Sequence, residues 1–226
     1  MLRRALQPVR DMDVCLVKLD ILRNTLLGPP IVDSHNARIN LTQIEKLEDR
    51  LRKRRQAEAE NLTAAIDARG KRLRWLSKEL EQALALVDLL NVCPIGLVAL
   101  QLFERLATEY VHLDVSNLHA YRKRLKHALY LAEIAAAADP LAGELARNFR
   151  KFHDVSGKWH DWEVLVLEAR RISPNKGKGG LLVSLLEGKA AAALQEALRT
   201  YGSLRGRPLM FEGAEGSTSD TTFKFA

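Results

Sequence analysis

Residues 118–133 read Leu-His-Ala-Tyr-Arg-Lys-Arg-Leu-Lys-His-Ala-Leu-Tyr-Leu-Ala-Glu, and this stretch decides the fold. On a helix of 3.6 residues per turn, His119, Arg122, Lys123, Lys126, Tyr130 and Glu133 fall within an arc of about 100°. Leu118, Tyr121, Leu125, Ala128, Leu129 and Ala132 take the other side. The pattern predicts a helix with one packing face and one cationic stripe. An ordinary solvated face mixes signs at i,i+4, which gains roughly 0.2–0.5 kcal/mol per pair. Here acids are absent from His119 through Leu131, and Arg122 stands one turn from Lys126. Like charges so spaced repel, and an anionic ligand would offset that cost.

The same periodicity extends outward in both directions. From Asp11 to Leu27, apolar residues fall at Val14, Leu16, Val17, Leu19, Ile21, Leu22 and Leu26, until Gly28-Pro29-Pro30 stops the segment. A long helix is expected over 40–68, capped by Asn40, with Leu41, Ile44, Leu47, Leu51, Leu62 and Ile66 on one side. Gly70 marks a join to a further helix over 72–90, and Cys93-Pro94-Ile95-Gly96 is the best internal boundary. Helices follow over 97–107 and 116–138. Asp139-Pro140 starts another, which passes Leu145, Phe149 and Phe152 toward Gly157. Two more cover 158–171 and 181–201, separated by an exposed loop at 173–180. No alternating strand pattern occurs, so the expected class is all-α, a helical bundle. Residues 203–226 read as a disordered tail.

With 226 residues, 47% hydrophobic and 28% charged, the chain is long enough for one or two packed domains. The net charge of +7 directs attention to anionic partners: nucleic acid, acidic lipid or a phosphate polymer. No apolar run reaches the about 20 residues that span a bilayer, and Met1–Pro8 has no secretory core, so the expected compartment is the cytoplasm. Cys15 and Cys93 are too few for a disulfide framework or a zinc site and read as small buried hydrophobes. Lys176-Gly-Lys-Gly-Gly180 lacks the spacing of a phosphate-binding P-loop.

An internal repeat is visible. Residues 7–15 align without gaps on residues 157–165, matching Asp11 to Asp161, Asp13 to Glu163, Val14 to Val164 and Arg10 to His160. Two copies of a helical hairpin suggest a pseudo-symmetric bundle with facing helices across a shared groove. The repeat also weighs against a metal. His153-Asp154 and His160-Asp161 have ligand chemistry, but Arg10 in the other copy cannot ligate.

His-x-x-Arg-x-x-x-Lys at His119, Arg122 and Lys126, followed by Gly157-x-x-x-Asp161-x-x-Val164, resembles the CHAD family, the conserved-histidine α-helical domain. Arg10-Asp11-Met12-Asp13-Val14 is similar to the same family's Arg-Asp-x-Asp-Val signature, and the resemblance runs over residues 2–202. It implies two helical repeats, 1–92 and 93–202, around a basic cleft that binds inorganic polyphosphate. It also implies no catalysis of the domain's own, triphosphate-hydrolysing partner proteins and location at polyphosphate granules. By position, His119, Arg122, Lys123 and Lys126 would line the second repeat's wall, Arg54 and Arg55 the first repeat's, with Arg10 and Arg3 beside them. The first repeat is expected to lack its opening basic helix, because Arg10 comes too early for one to precede it. The apolar face thereby uncovered is an expected homodimer contact. No cofactor or metal is expected.

Two other functions remain as alternatives. Single-stranded nucleic-acid binding calls for aromatics interleaved with the cations, and residues 118–127 offer only Tyr121, on the packing face. Trp159 and Trp162 lie near the groove and read first as core. A metal-dependent phosphohydrolase calls for clustered carboxylates, and the stripe carries only Glu133, which reads as a local salt-bridge partner. A membrane-surface role lacks Trp or Phe anchors beside the stripe.

Overall fold

The structure, a computed structural model, describes residues 2–27, 35–85, 95–172 and 180–205. They form six helices: α1 (Leu2–Leu27), α2 (His35–Ala85), α3 (Ile95–Glu109), α4 (Leu118–Ala135), α5 (Pro140–Ile172) and α6 (Gly180–Arg205). No strand occurs among the described residues, and the protein is all-α. Of the expected loop at 173–180 and tail at 203–226, Gly180 and residues 203–205 are helical in α6, and the rest, with Cys93-Pro94 of the expected boundary, lies outside the described residues.

Several helices run further than local signals suggested. α1 begins at Leu2 and passes through Pro8. Its buried stripe of Val9, Met12, Cys15, Leu19, Leu22 and Leu26 is continuous, so packing outweighs one missing backbone donor. α2 runs unbroken through Gly70, and Asn40 lies buried inside it rather than capping it. α5 runs unbroken through Gly157, where a helix end was expected. α4 is shorter than its periodicity suggested. Asp114 accepts from the backbone N–H of Ser116 at 2.7 Å and from that of Asn117 at 3.3 Å, which holds residues 115–117 as a turn ahead of Leu118. At its far end, Pro140 disfavours helical backbone at Asp139.

Two hydrophobic cores result. One joins α1 (Met12, Cys15, Leu19), α2 (Ile44, Leu47, Leu51), the end of α5 (Leu165, Val166, Ala169) and the start of α6 (Leu182, Leu186, Ala190). The other joins α3 (Phe103, Leu106), α4 (Leu118, Tyr121, Leu125), the start of α5 (Phe149, Phe152) and the end of α6 (Ala197, Tyr201, Leu204). α5 and α6 belong to both, and Trp162 packs against each. Tyr121, fully buried, meets Tyr110, Phe152 and Tyr201 edge-on at 5.4, 5.3 and 5.1 Å between ring centres. The Tyr201 hydroxyl donates to the Tyr110 carbonyl, and Arg205 donates to the Val111 carbonyl at 2.6 Å. These bonds fasten the end of α6 to the loop that delivers α4. Cys15 is fully buried, and burial, with Glu168 next, pushes its thiol up to about 12, consistent with a packing residue.

Two glycines predict opposite responses to the same substitution. A Cβ on Gly70 would meet nothing within 4 Å, so Gly70→Ala should stabilise α2 by about 0.5–1 kcal/mol through helix propensity alone. A Cβ on Gly96 would stand 2.6 Å from Asp139 Oδ2 and 3.2 Å from the Ala142 Cβ. Asp139 is held there because its other oxygen accepts from the Leu141 N–H at 2.9 Å, at the start of α5. Gly96→Ala should therefore destabilise by about 1–3 kcal/mol. Urea midpoints of the two variants, moving in opposite directions, check both.

Candidate functional site

The six residues buried on α4 are Leu118, Tyr121, Leu125, Ala128, Leu129 and Ala132, the face that periodicity assigned to packing. The cationic stripe is consequently turned along α5. There His153, Gly157 and His160 follow one another at i, i+4 and i+7 on one side of the helix. The His119 ring lies against the His160 ring, centroids 4.9 Å apart and tilted by 37°. Arg122 lies over Gly157, its Nη2 3.3 Å from where a Cβ would stand. The missing side chain makes room for the guanidinium.

Among the described residues, three polar atoms in this contact have no hydrogen-bond partner. Arg122 Nε is buried without a hydrogen bond, and so are Nδ1 and Nε2 of His153. Asp154 Oδ1 is 3.6 Å from His153 Nδ1, an ion-pair distance for the protonated ring but too long for a hydrogen bond. A neutral imidazole carries one donor and one acceptor nitrogen, so the donors here are the Arg122 Nε–H and one ring N–H of His153. Buried donors are costly unless something supplies an acceptor. An anionic oxygen would do so.

The electrostatics agree with that chemistry. Burial first, then the Arg122 charge, holds His153 and His160 below the ordinary histidine value. Burial first, then Lys123, does the same to His119. Arg122 is itself disfavoured as a cation by burial and by Arg10, with Asp161 and Asp154 acting the other way. It nonetheless stays charged, as arginine does throughout the accessible range. Asp161 is raised by burial, against the opposing pull of Lys18, whose Nζ is 3.9 Å away. Lys18 also sits over the Trp162 ring at 4.5 Å.

The sequence-derived residues divide into two groups. His119, Arg122, Lys123 and Lys126 share the α4 stripe, with Lys126 Nζ 5.4 Å over the Tyr130 ring. Arg10, exposed on α1, acts electrostatically on Arg122, His160 and Asp161 and so belongs with them. Arg54 and Arg55 are engaged elsewhere. Arg54 donates to the buried Glu168 at 2.7 Å, Arg171 reaches the same carboxylate oxygen at 2.5 Å, and Arg55 pairs with Asp13. Arg3 lies on α1, and its side chain is outside the described residues. Glu133 pairs with Arg150 of α5. Trp159 is core.

His153 and Gly157 were not anticipated as parts of a cationic surface. From the sequence, His153-Asp154 and His160-Asp161 read as pairs with metal-ligand chemistry, and the repeat sets His160 against Arg10. The signal was their shared helical face, which becomes visible once α5 is one helix rather than two. Among the described residues, no three His, Cys, Asp or Glu side chains are grouped to hold a metal ion. A hollow of about 170 Å³ between α5 and α6, lined by Lys151, Glu196 and Arg199, is mixed in sign and shares no residue with the stripe.

The family model of the CHAD domain matches residues 1–170, which takes in α1 through nearly all of α5. This chain belongs to the CHAD family. No curated protein and no solved structure matches it. The CHAD match stops before α6, yet α6 supplies buried residues to both cores. No helix among the described residues is long and apolar enough to cross a membrane.

The three depressed histidines predict how this CHAD domain responds to acid. Their folded values lie below the unfolded value of about 6.5, so the unfolded chain takes up more protons as pH falls. Their contribution to stability is present above that value and is lost on acidification through it. Thermal melts of the ligand-free protein should fall between pH 7.5 and 5.5, and His153→Gln should flatten the slope.

Proposed function

We propose that this protein binds inorganic polyphosphate without transforming it, along the cationic surface where α4 and α5 approach α1. The observation that carries the reading is the trio of unpartnered buried atoms, Arg122 Nε and the two His153 nitrogens, set among Arg10, His119, Lys123 and Lys126. Membership of the CHAD family is consistent with a polyphosphate-related role. In this reading the surface is one wall of a basic cleft between two pseudo-symmetric helical repeats.

The mechanism is electrostatic. Each phosphate neutralised by a cation releases condensed counterions, as for other linear polyanions. Arg122 offers a planar fork to phosphate oxygens, while Lys123 and Lys126 act as point charges. A bound polyanion also favours the imidazolium forms of His119, His153 and His160 and so draws in protons. Arg54 and Arg55 contribute less than the α4 stripe, because Glu168 and Asp13 compete with the ligand for them. The protein acts in the cytoplasm, at polyphosphate granules, beside a triphosphate-hydrolysing partner.

Titration with long-chain polyphosphate tests this. Affinity should fall about tenfold or more between 50 and 200 mM salt, as expected for several neutralised phosphates. It should rise several-fold from pH 7.5 to 5.5, because the histidine values are higher in the complex than in the free protein. Arg122→Ala/Lys126→Ala should abolish most of the binding, and Arg54→Ala should change it little. Displacement by single-stranded DNA of equal charge would favour nucleic acid instead. Affinity that is flat in salt would overturn the mechanism.

A further inference from the structure

Among the described residues, no other helix covers the outer end of α2. Every residue from Lys71 to Ala83 is exposed, including Leu73 at 37%, Trp75 at 58%, Leu76 at 46% and Leu80 at 59%. Trp75 lies off the line that joins Leu73, Leu76 and Leu80, and those three are not scattered. Ala59, Leu62, Ile66, Arg69, Leu73, Leu76, Leu80 and Ala83 alternate at spacings of three and four, the seam of a heptad repeat with one charged interruption. The flanks differ in kind. One edge carries Thr63, Gly70 and Ser77, all small, and the other carries Ala65, Arg72 and Glu79.

We propose that this seam pairs with the same seam of a second copy of the chain, as an antiparallel two-helix coiled coil. The alignment that fits sets Leu73 against Leu76 of the second copy, Ile66 against Ala83 and Leu80 against Arg69. It faces Arg72 with Glu79 of the second copy, twice by symmetry, and places Gly70 beside Ser77 on the small edge, where the backbones can approach. The overlap over residues 66–83 is about 26 Å long at 1.5 Å per residue. Two rival alignments are worse. A parallel, in-register pair stacks Arg69 on Arg69. An antiparallel pair shifted by one heptad sets Arg72 against Arg72 and brings both Arg69 side chains to its centre.

Sedimentation of the full chain at tens of micromolar tests the pairing. The wild type should be a dimer and Leu73→Glu/Leu76→Glu a monomer with unchanged helicity, since both leucines are exposed in the single chain. Arg72→Glu should weaken the dimer, and Arg72→Glu/Glu79→Arg should restore it. Orientation is read by oxidation in a Cys93→Ser background. Leu73→Cys protein mixed with Leu76→Cys protein should cross-link across the two species, and Leu73→Cys alone should not. A monomeric wild type would overturn the proposal, as would homotypic cross-linking at position 73. So would a dimer that survives the double glutamate variant but is lost on Val17→Asp/Ile21→Asp, which would place the contact on the exposed face of α1 instead.

Discussion

The packing of α6 along α5 is the constraint on which everything else in this protein rests. α5 buries Leu145, Phe149, Phe152 and Trp159 in one core, then Leu165, Val166 and Ala169 in the other, and α6 follows it through both. α1 and α2 close the second of these cores, and α3 and α4 close the first. The register of α4 against α5 is held at its start by the Tyr121 cluster. The cationic stripe therefore has only one place to lie.

That placement works against the stability of the protein by itself. Arg122 is half-buried under like charges, three histidines are disfavoured as cations by burial and by their cationic neighbours, and the His153 ring has no hydrogen bond among the described residues. Asp161 answers Lys18 and takes part of the Arg122 charge, but the excess remains positive. A core built only to fold would place an acid or an apolar side chain at position 153. Gly157 reinforces the point. A helix interior gains from alanine, yet this position is kept open on the side where the guanidinium lies.

How much of this was legible in the sequence depends on the residue. The α4 faces were, because periodicity alone separates Tyr121 and Leu125 from Arg122 and Lys126, and the structure buries the first pair to near zero. The all-α class followed from the same pattern. Continuity of α5 through Gly157 and of α2 through Gly70 was not legible. A glycine costs a helix only about 1 kcal/mol, and whether that sum is met depends on packing that no local window contains. The status of Arg54 and Arg55 was hidden for a related reason. Glu168 lies 114 positions from Arg54, and Asp13 lies 42 from Arg55. Only the fold brings those charges together.

The double membership of α5 and α6 separates two ideas that usually coincide. The unit suggested by the repeated Asp-x-Asp/Glu-Val pattern is a hairpin that a genome can copy or lose in one piece. The unit that excludes water crosses that division at one core, where α1 and α2 close against α5 and α6, while the other core lies wholly within residues 93–205. Removing either hairpin strips apolar surface from helices that remain. Such a protein is held fast along α5, whose buried residues serve both cores at once.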